Sequence, residues 1–124
     1  MKNNNPFLAG IPDCWYSGIL DDLWVEYKYL AIETPRVTVV PDLSQQQLHW
    51  IKTRRDEGRE IWVVVGYKKG VVMFRHMTDI EQGISPELFI ERTISRKELA
   101  DEITAYCGTT RTIDNQQREL QERS

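Results

Sequence analysis

The sequence predicts an α/β domain, a mixed β-sheet flanked by helices, and three observations carry that prediction. Residues 23–30 and 60–67 are rich in β-branched and aromatic side chains, the composition of strands. Two other segments open on a serine followed three residues later by Gln or Glu and close on a glycine: Ser44 to Gly58, and Ser95 to Gly108. That is the spacing of a helix with a capping box at its start and a glycine stop at its end. The order along the chain is hairpin, helix, strand, strand, helix, which packs as helices against a sheet.

The bulk numbers set the limits. A chain of 124 residues forms one domain. Its 40% hydrophobic and 28% charged residues exclude a disordered chain. No apolar run approaches the roughly 20 residues that span a bilayer. Met1 to Asn5 lack the apolar core of a secretion signal, so an intracellular, cytoplasmic protein is expected, with no membrane partner. Cys14 and Cys107 have no metal or redox spacing and read as free thiols in a reducing compartment.

Taken in order, residues 1–9 form a polar arm that carries Phe7 and Leu8 as a small apolar anchor, the domain proper runs from 10 to 108, and residues 109–124 are a polar tail. Residues 13–17 form a short strand that turns at Gly18. Asp21-Asp22 closes the turn, and residues 23–30 return as an antiparallel strand. Residues 31–43 contain Pro35 and Pro41 and form mostly loop, with Val37–Val40 a short edge strand. After the first helix, residues 60–67 are a near-continuous apolar run, as expected of a strand buried on both faces. Lys68-Lys69-Gly70 turns the chain into a strand at Val71–Phe74. A loop around Gly83–Pro86 leads to a last edge strand at Phe89–Ile94. In the second helix Leu99, Ile103 and Tyr106 recur on one face.

Alternation along the strand 23–30 puts Trp24, Glu26, Lys28 and Leu30 on one face. A Glu-x-Lys pair is by default a solvated strand face with a surface ion pair. Here the hairpin also brings Asp13 toward that face. Two carboxylates converging beside a lysine make a hard-oxygen site suited to Mg²⁺, with Mn²⁺ as a substitute. Such a metal activates water and neutralises charge on a phosphodiester, while Lys28 orients the water or stabilises the developing charge.

The ordered set Ile11-Pro12-Asp13 and then Glu26-Tyr27-Lys28 resembles the PD-(D/E)xK nuclease motif. Gly10-Ile11-Pro12-Asp13, Trp24-Val25-Glu26-Tyr27-Lys28, Ser44-x-x-Gln47-x-x-Trp50 and Gly58 ahead of Ile61–Val65 together look like the virus-type replication-repair nuclease subgroup, over residues 10–67. The resemblance implies a restriction-endonuclease-like fold. It implies that Asp13 and Glu26 are metal ligands with the Tyr27 carbonyl as a further ligand, that Lys28 is the catalytic lysine, and that Gln47 faces the site. As the third residue of a capping box, Gln47 is equally well explained by the helix alone. The implied activity is Mg²⁺-dependent endonucleolytic cleavage of DNA, with branched or four-way junction DNA as a substrate. A homing or restriction-like endonuclease fits the same motif, and a non-catalytic nucleic-acid-binding module is the alternative from another class.

One departure from the subgroup concerns a further acidic residue that its members carry on a helix ahead of the Pro-Asp motif. Residues 1–12 contain no acid here, which leaves Asp21, Asp22 and Glu33 as stand-ins, although a turn explains the aspartates. Lys52, Arg54, Arg55 and Arg59 cluster on and after the first helix. They form a solvated face by default, and Lys52, Arg54 and Arg55 would track a phosphate backbone if the site is a nuclease site. The net charge of −3 argues against coating DNA with the whole surface. His49 and His76 stand far from any second zinc ligand, and Trp15, Trp24, Trp50 and Trp62 read as core or interface residues. A homodimer is expected, because the strand 60–65 needs cover on both faces and two sites in fixed register suit paired cuts.

Overall fold

The computed structural model describes residues 13–108 and the backbone of residues 111–113. Strand β1 (Cys14–Ser17) pairs antiparallel with β2 (Asp22–Tyr29), so the expected hairpin forms, with Trp15 opposite Trp24. Helix α1 (Gln45–Asp56) then carries the chain over the sheet to β3 (Ile61–Tyr67), which lies parallel to β2. A parallel neighbour requires such a crossover, whereas the tight turn after Tyr67 returns β4 (Gly70–Phe74) antiparallel to β3. Helices α2 (Met77–Gln82), α3 (Pro86–Glu91) and α4 (Arg96–Cys107) follow, and β5 (Arg111–Ile113) adds antiparallel to the free side of β1. The sheet order is β4-β3-β2-β1-β5, a mixed sheet flanked by helices.

Both capping boxes are present. Ser44 accepts the Gln47 N–H and Ser95 accepts the Glu98 N–H, while the Gln47 and Glu98 side chains reach back to the cap backbone. After α1 the chain turns at Gly58, whose φ of +86° lies in the left-handed region that costs glycine nothing.

Every residue of β3 is buried. One face is covered by Ile51 of α1 with Ile80 and Phe89 from the short helices, and the other by Leu99, Ile103 and Cys107 of α4. Strand β3 therefore finds its cover within a single chain, and its apolar character no longer calls for a second copy.

Two segments differ from expectation. Residues 89–94 are not an edge strand; their first half belongs to α3. Ser85 caps the Leu88 N–H, Pro86 sits in the first turn where its missing N–H costs nothing, and Phe89 packs into the core beside Tyr67 and Phe74. Only Ile94 keeps a strand-like bond, bridging to Val71. Val37–Val40 likewise reduces to a single bridge between Val39 and Ile84. Residues 111–113 form β5, so the sheet extends past residue 108. The expected arm at 1–9 and the rest of the tail lie outside the described residues.

Candidate metal and phosphodiester site

The hairpin register places the two carboxylates. Cys14, the first residue of β1, faces Val25, so Asp13 stands just past the paired ladder, beside Glu26 and Tyr27. Asp13 Oδ2 accepts the Tyr27 backbone N–H at 3.0 Å, which anchors it there. Glu26 is 1% exposed and is the one buried charged side chain among the described residues. It lies on the α1 side of the sheet between Trp24 and Lys28.

Gln47 joins the strand to the helix. Its Nε2 donates to Glu26 Oε2 at 2.7 Å, and its Oε1 accepts both the Lys28 Nζ at 3.2 Å and the Ser44 N–H at 3.0 Å. The helix cap and the site contact, alternatives when read from sequence, are thus met by one amide. Lys28 Nζ also stands 3.4 Å from Glu26 Oε2. Asp13, Glu26, Lys28 and Gln47 are therefore brought together by three elements: the start of β1, the middle of β2 and the first turn of α1.

The electrostatics are unbalanced. Burial, and after it the negative charge of Asp13, push the Glu26 carboxyl up from the usual range, against the downward pull of Lys28. Glu26 Oε1 is buried with no hydrogen-bond partner. Such an orphaned acceptor typically costs about 1–3 kcal/mol. A divalent cation would relieve both problems, since it would supply positive charge and an acceptor for the free lone pairs. The Tyr27 carbonyl points to the same side as its N–H, toward Asp13 and past the end of β1. Two carboxylates and a carbonyl are a hard-oxygen donor set, and they fit Mg²⁺ or Mn²⁺.

Among the described residues no group of three metal-ligating His, Cys, Asp or Glu side chains assembles. The acidic stand-ins lie elsewhere. Asp21 accepts the Tyr106 hydroxyl and the Asp22 N–H, Asp22 accepts the Ser17 hydroxyl, and Glu33 pairs with Lys68. Water and substrate oxygens would complete the coordination, as Mg²⁺ commonly requires.

The predicted phosphate contacts fare unequally. Arg55 donates to the carbonyls of Ile61 and Arg75, both at 2.8 Å, and ties the end of α1 to β3 and to the end of β4. Its guanidinium is committed to the fold, a role that sequence spacing did not reveal. Lys52 pairs with Glu81 at 2.9 Å on the surface. Arg54 pairs with Glu57 at 3.3 Å and lies over the Trp50 ring. His49 and His76 are exposed, and Cys14 and Cys107 are free thiols. Trp62 is fully buried, whereas Trp15, Trp24 and Trp50 form a half-buried group beside the site.

Searches against protein-family models, curated proteins and solved structures returned no match to this chain. Among the described residues no helix is long and apolar enough to cross a membrane.

Proposed function

We propose that this protein is a metal-dependent nuclease that hydrolyses DNA phosphodiester bonds at the Asp13/Glu26/Lys28 site. The observation that carries the reading is Glu26: a fully buried carboxylate with one unpartnered oxygen, close to the charge of Asp13 and within reach of Lys28. A surface ion pair explains the Lys28 contact, but neither the burial, nor the unpartnered oxygen, nor the second carboxylate. The hairpin, the crossover helix and the parallel strand of this fold accord with the restriction-endonuclease-like architecture that the sequence resemblance implies.

Asp13, Glu26 and the Tyr27 carbonyl would hold Mg²⁺, which when bound supplies an activated water and neutralises phosphate charge. The chain itself does the rest. Lys28 presents a fixed cation to the charge that develops on the phosphoryl oxygens. Gln47 keeps that cation from wandering by accepting from its Nζ, and it holds Glu26 in a single rotamer. Because Gln47 is itself tied to Ser44 at the helix start, the site is preorganised by the fold rather than by substrate.

Structure-specific cleavage of branched or four-way DNA, and a homodimer that sets two sites on two strands, extend this proposal. The apolar surface that would support self-association is Ile19 and Leu20 at the hairpin turn, with Val37 and Val40 in the loop after β2. A second reading, a binding module without catalysis, is favoured by one observation: the described residues bring only two carboxylates to the site. Incubating the protein with linear, flapped and four-way DNA in Mg²⁺, Mn²⁺ or EDTA separates the two. Metal-dependent nicking supports the nuclease, and metal-independent binding without nicking supports the module.

A further inference from the structure

Most cations of residues 13–108 are already spent. From Lys28 to Arg92 they stand within 4.0 Å of a Glu or Asp oxygen, or, for Arg55, are held by two carbonyls. Within the described residues Arg36, Lys69, Arg96 and Lys97 are the exceptions. Arg36, Arg96 and Lys97 make no hydrogen bond or ion pair there, and Lys69 meets only the Thr34 hydroxyl, at 3.5 Å. All four are exposed. They come from three separate stretches of sequence, and the fold gathers those stretches at one end of the sheet.

Beyond Lys28 the chain passes to Leu30, whose N–H donates to the Gly66 carbonyl, and to Ile32, whose carbonyl accepts the Lys68 N–H. Glu33 and Thr34 then meet Lys68 and Lys69 at the tip between β3 and β4. The same tip touches the approach to α4. Val71 and Ile94 exchange backbone bonds, and a Cβ on Gly70 would lie 2.5 Å from the Ile94 carbonyl oxygen. Ser95, Arg96 and Lys97 follow directly. Leu30 and Val39, on either side of Arg36, pack on the α1 side of the sheet, whereas Leu99 of α4 packs on the other. The four cations thus form a stripe over the end of the sheet, from the site face to the α4 face. The nearest carboxylates are committed, Glu33 to Lys68 and Glu98 to the Ser95 N–H, with exposed Glu91 and Asp101 at the margins.

Cations without acid partners are an electrostatic footprint for anions, and in a chain of net charge −3 their collection at one end stands out. Spread over three segments, they suit a polyanion of repeating charge better than one small anion. Ile32 is four residues from Lys28, at most about 14 Å of extended chain. That is about four steps of a duplex strand. We infer that Arg36, Lys69, Arg96 and Lys97 form a phosphate-binding surface over which the backbone of a DNA duplex runs, a few base pairs to one side of the bond cut at the Asp13/Glu26/Lys28 site. This rests on that site being a nuclease site. Contacts of this kind hold the duplex in place without reading its bases.

The test measures anisotropy of a labelled blunt duplex in EDTA, where nothing is cut, between about 50 and 200 mM salt, and cleavage separately in Mg²⁺. Four phosphate contacts predict a slope of log affinity on log salt of about −3.6, a loss of about 150-fold across that range. The double variants Arg36→Gln/Lys69→Gln and Arg96→Gln/Lys97→Gln should each bring the slope to about −1.8. Arg59→Gln, whose cation is already paired with Glu57, should keep the parent slope. In Mg²⁺ both double variants should raise KM and leave kcat unchanged. Parent-like slopes in both double variants overturn the surface. So does a parent slope near zero, or polyglutamate bound as tightly as the duplex, and neither of these results depends on how well a variant folds. If the slopes fall as expected while no DNA is cut, the surface stands and the nuclease assignment falls. If DNA is cut with a parent-like KM by both double variants, the surface alone falls.

Discussion

Gln47 donates to Glu26 at 2.7 Å across the space between the first turn of α1 and the middle of β2, while its own oxygen caps the helix start. Helix stability and site geometry therefore share one side chain. Gln47→Ala is expected to destabilise the fold by about 0.5–2 kcal/mol through loss of cap and bridge, and to slow cleavage as Lys28 and Glu26 lose their common partner. Gln47→Glu can still reach the Ser44 N–H but sets a third carboxylate against Glu26. It should melt lower than the parent in EDTA and gain more from added Mg²⁺. Melting curves with and without Mg²⁺ check both variants, and equal Mg²⁺ gains in parent and Gln47→Glu would count against a metal beside Glu26.

Lys28→Ala should leave folding and DNA binding largely intact and reduce the cleavage rate by about 10²–10³-fold, the usual cost of removing one preorganised contact to developing charge. Single-turnover rates at saturating Mg²⁺ decide the matter. Cleavage comparable to the parent removes Lys28 from the chemistry.

Asp13→Asn and Glu26→Gln should each lose divalent-metal binding, read by calorimetric titration with Mn²⁺, because an amide keeps the shape but not the charge that holds a hard cation. Glu26→Gln should in addition melt no lower than the parent in EDTA at neutral pH, since it takes an incompletely compensated charge out of the interior. If both variants bind Mn²⁺ as the parent does, the metal site lies elsewhere.

Tyr106 links α4 to the hairpin turn by donating to Asp21 at 3.1 Å, and burial together with this bond pushes its phenol up to about 12. A group whose pKa is raised on folding stabilises the fold below its unfolded value, near 10 for tyrosine. That stabilisation disappears as pH climbs from about 10 through about 12. The tyrosinate absorbance of the parent minus that of Tyr106→Phe should titrate with a midpoint near 12. A midpoint near 10 would show that the contact with Asp21 is not kept in solution.

Light scattering at micromolar concentration tests the homodimer. Self-association through the hairpin turn predicts twice the chain mass of 14.6 kDa, reduced to the monomer by Leu20→Glu, since Leu20 is 69% exposed. A single monomeric mass in a preparation that still cleaves DNA removes the dimer and with it paired cutting by two copies.

What the sequence by itself determined is local. Capping boxes at Ser44 and Ser95, the alternation that gathers Trp24, Glu26, Lys28 and Leu30 on one face, and the unbroken apolar run of β3 all act between residues close in the chain. Each was legible because the physics that sets it has a short period. Tertiary structure decided what depends on partners far apart. Phe89 follows a strand-like pattern, yet its burial against Tyr67 and Phe74 and the Ser85-Pro86 start make it helical. Arg55, one basic residue among several in α1, becomes a clamp only because the carbonyls of Ile61 and Arg75 end within its reach. The family resemblance implies that Gln47 faces the site, and the capping-box spacing explains the residue without it. That one amide serves the helix cap and the site together follows only from packing α1 on β2, because a side chain's hydrogen bonds are completed by whatever the fold brings to it.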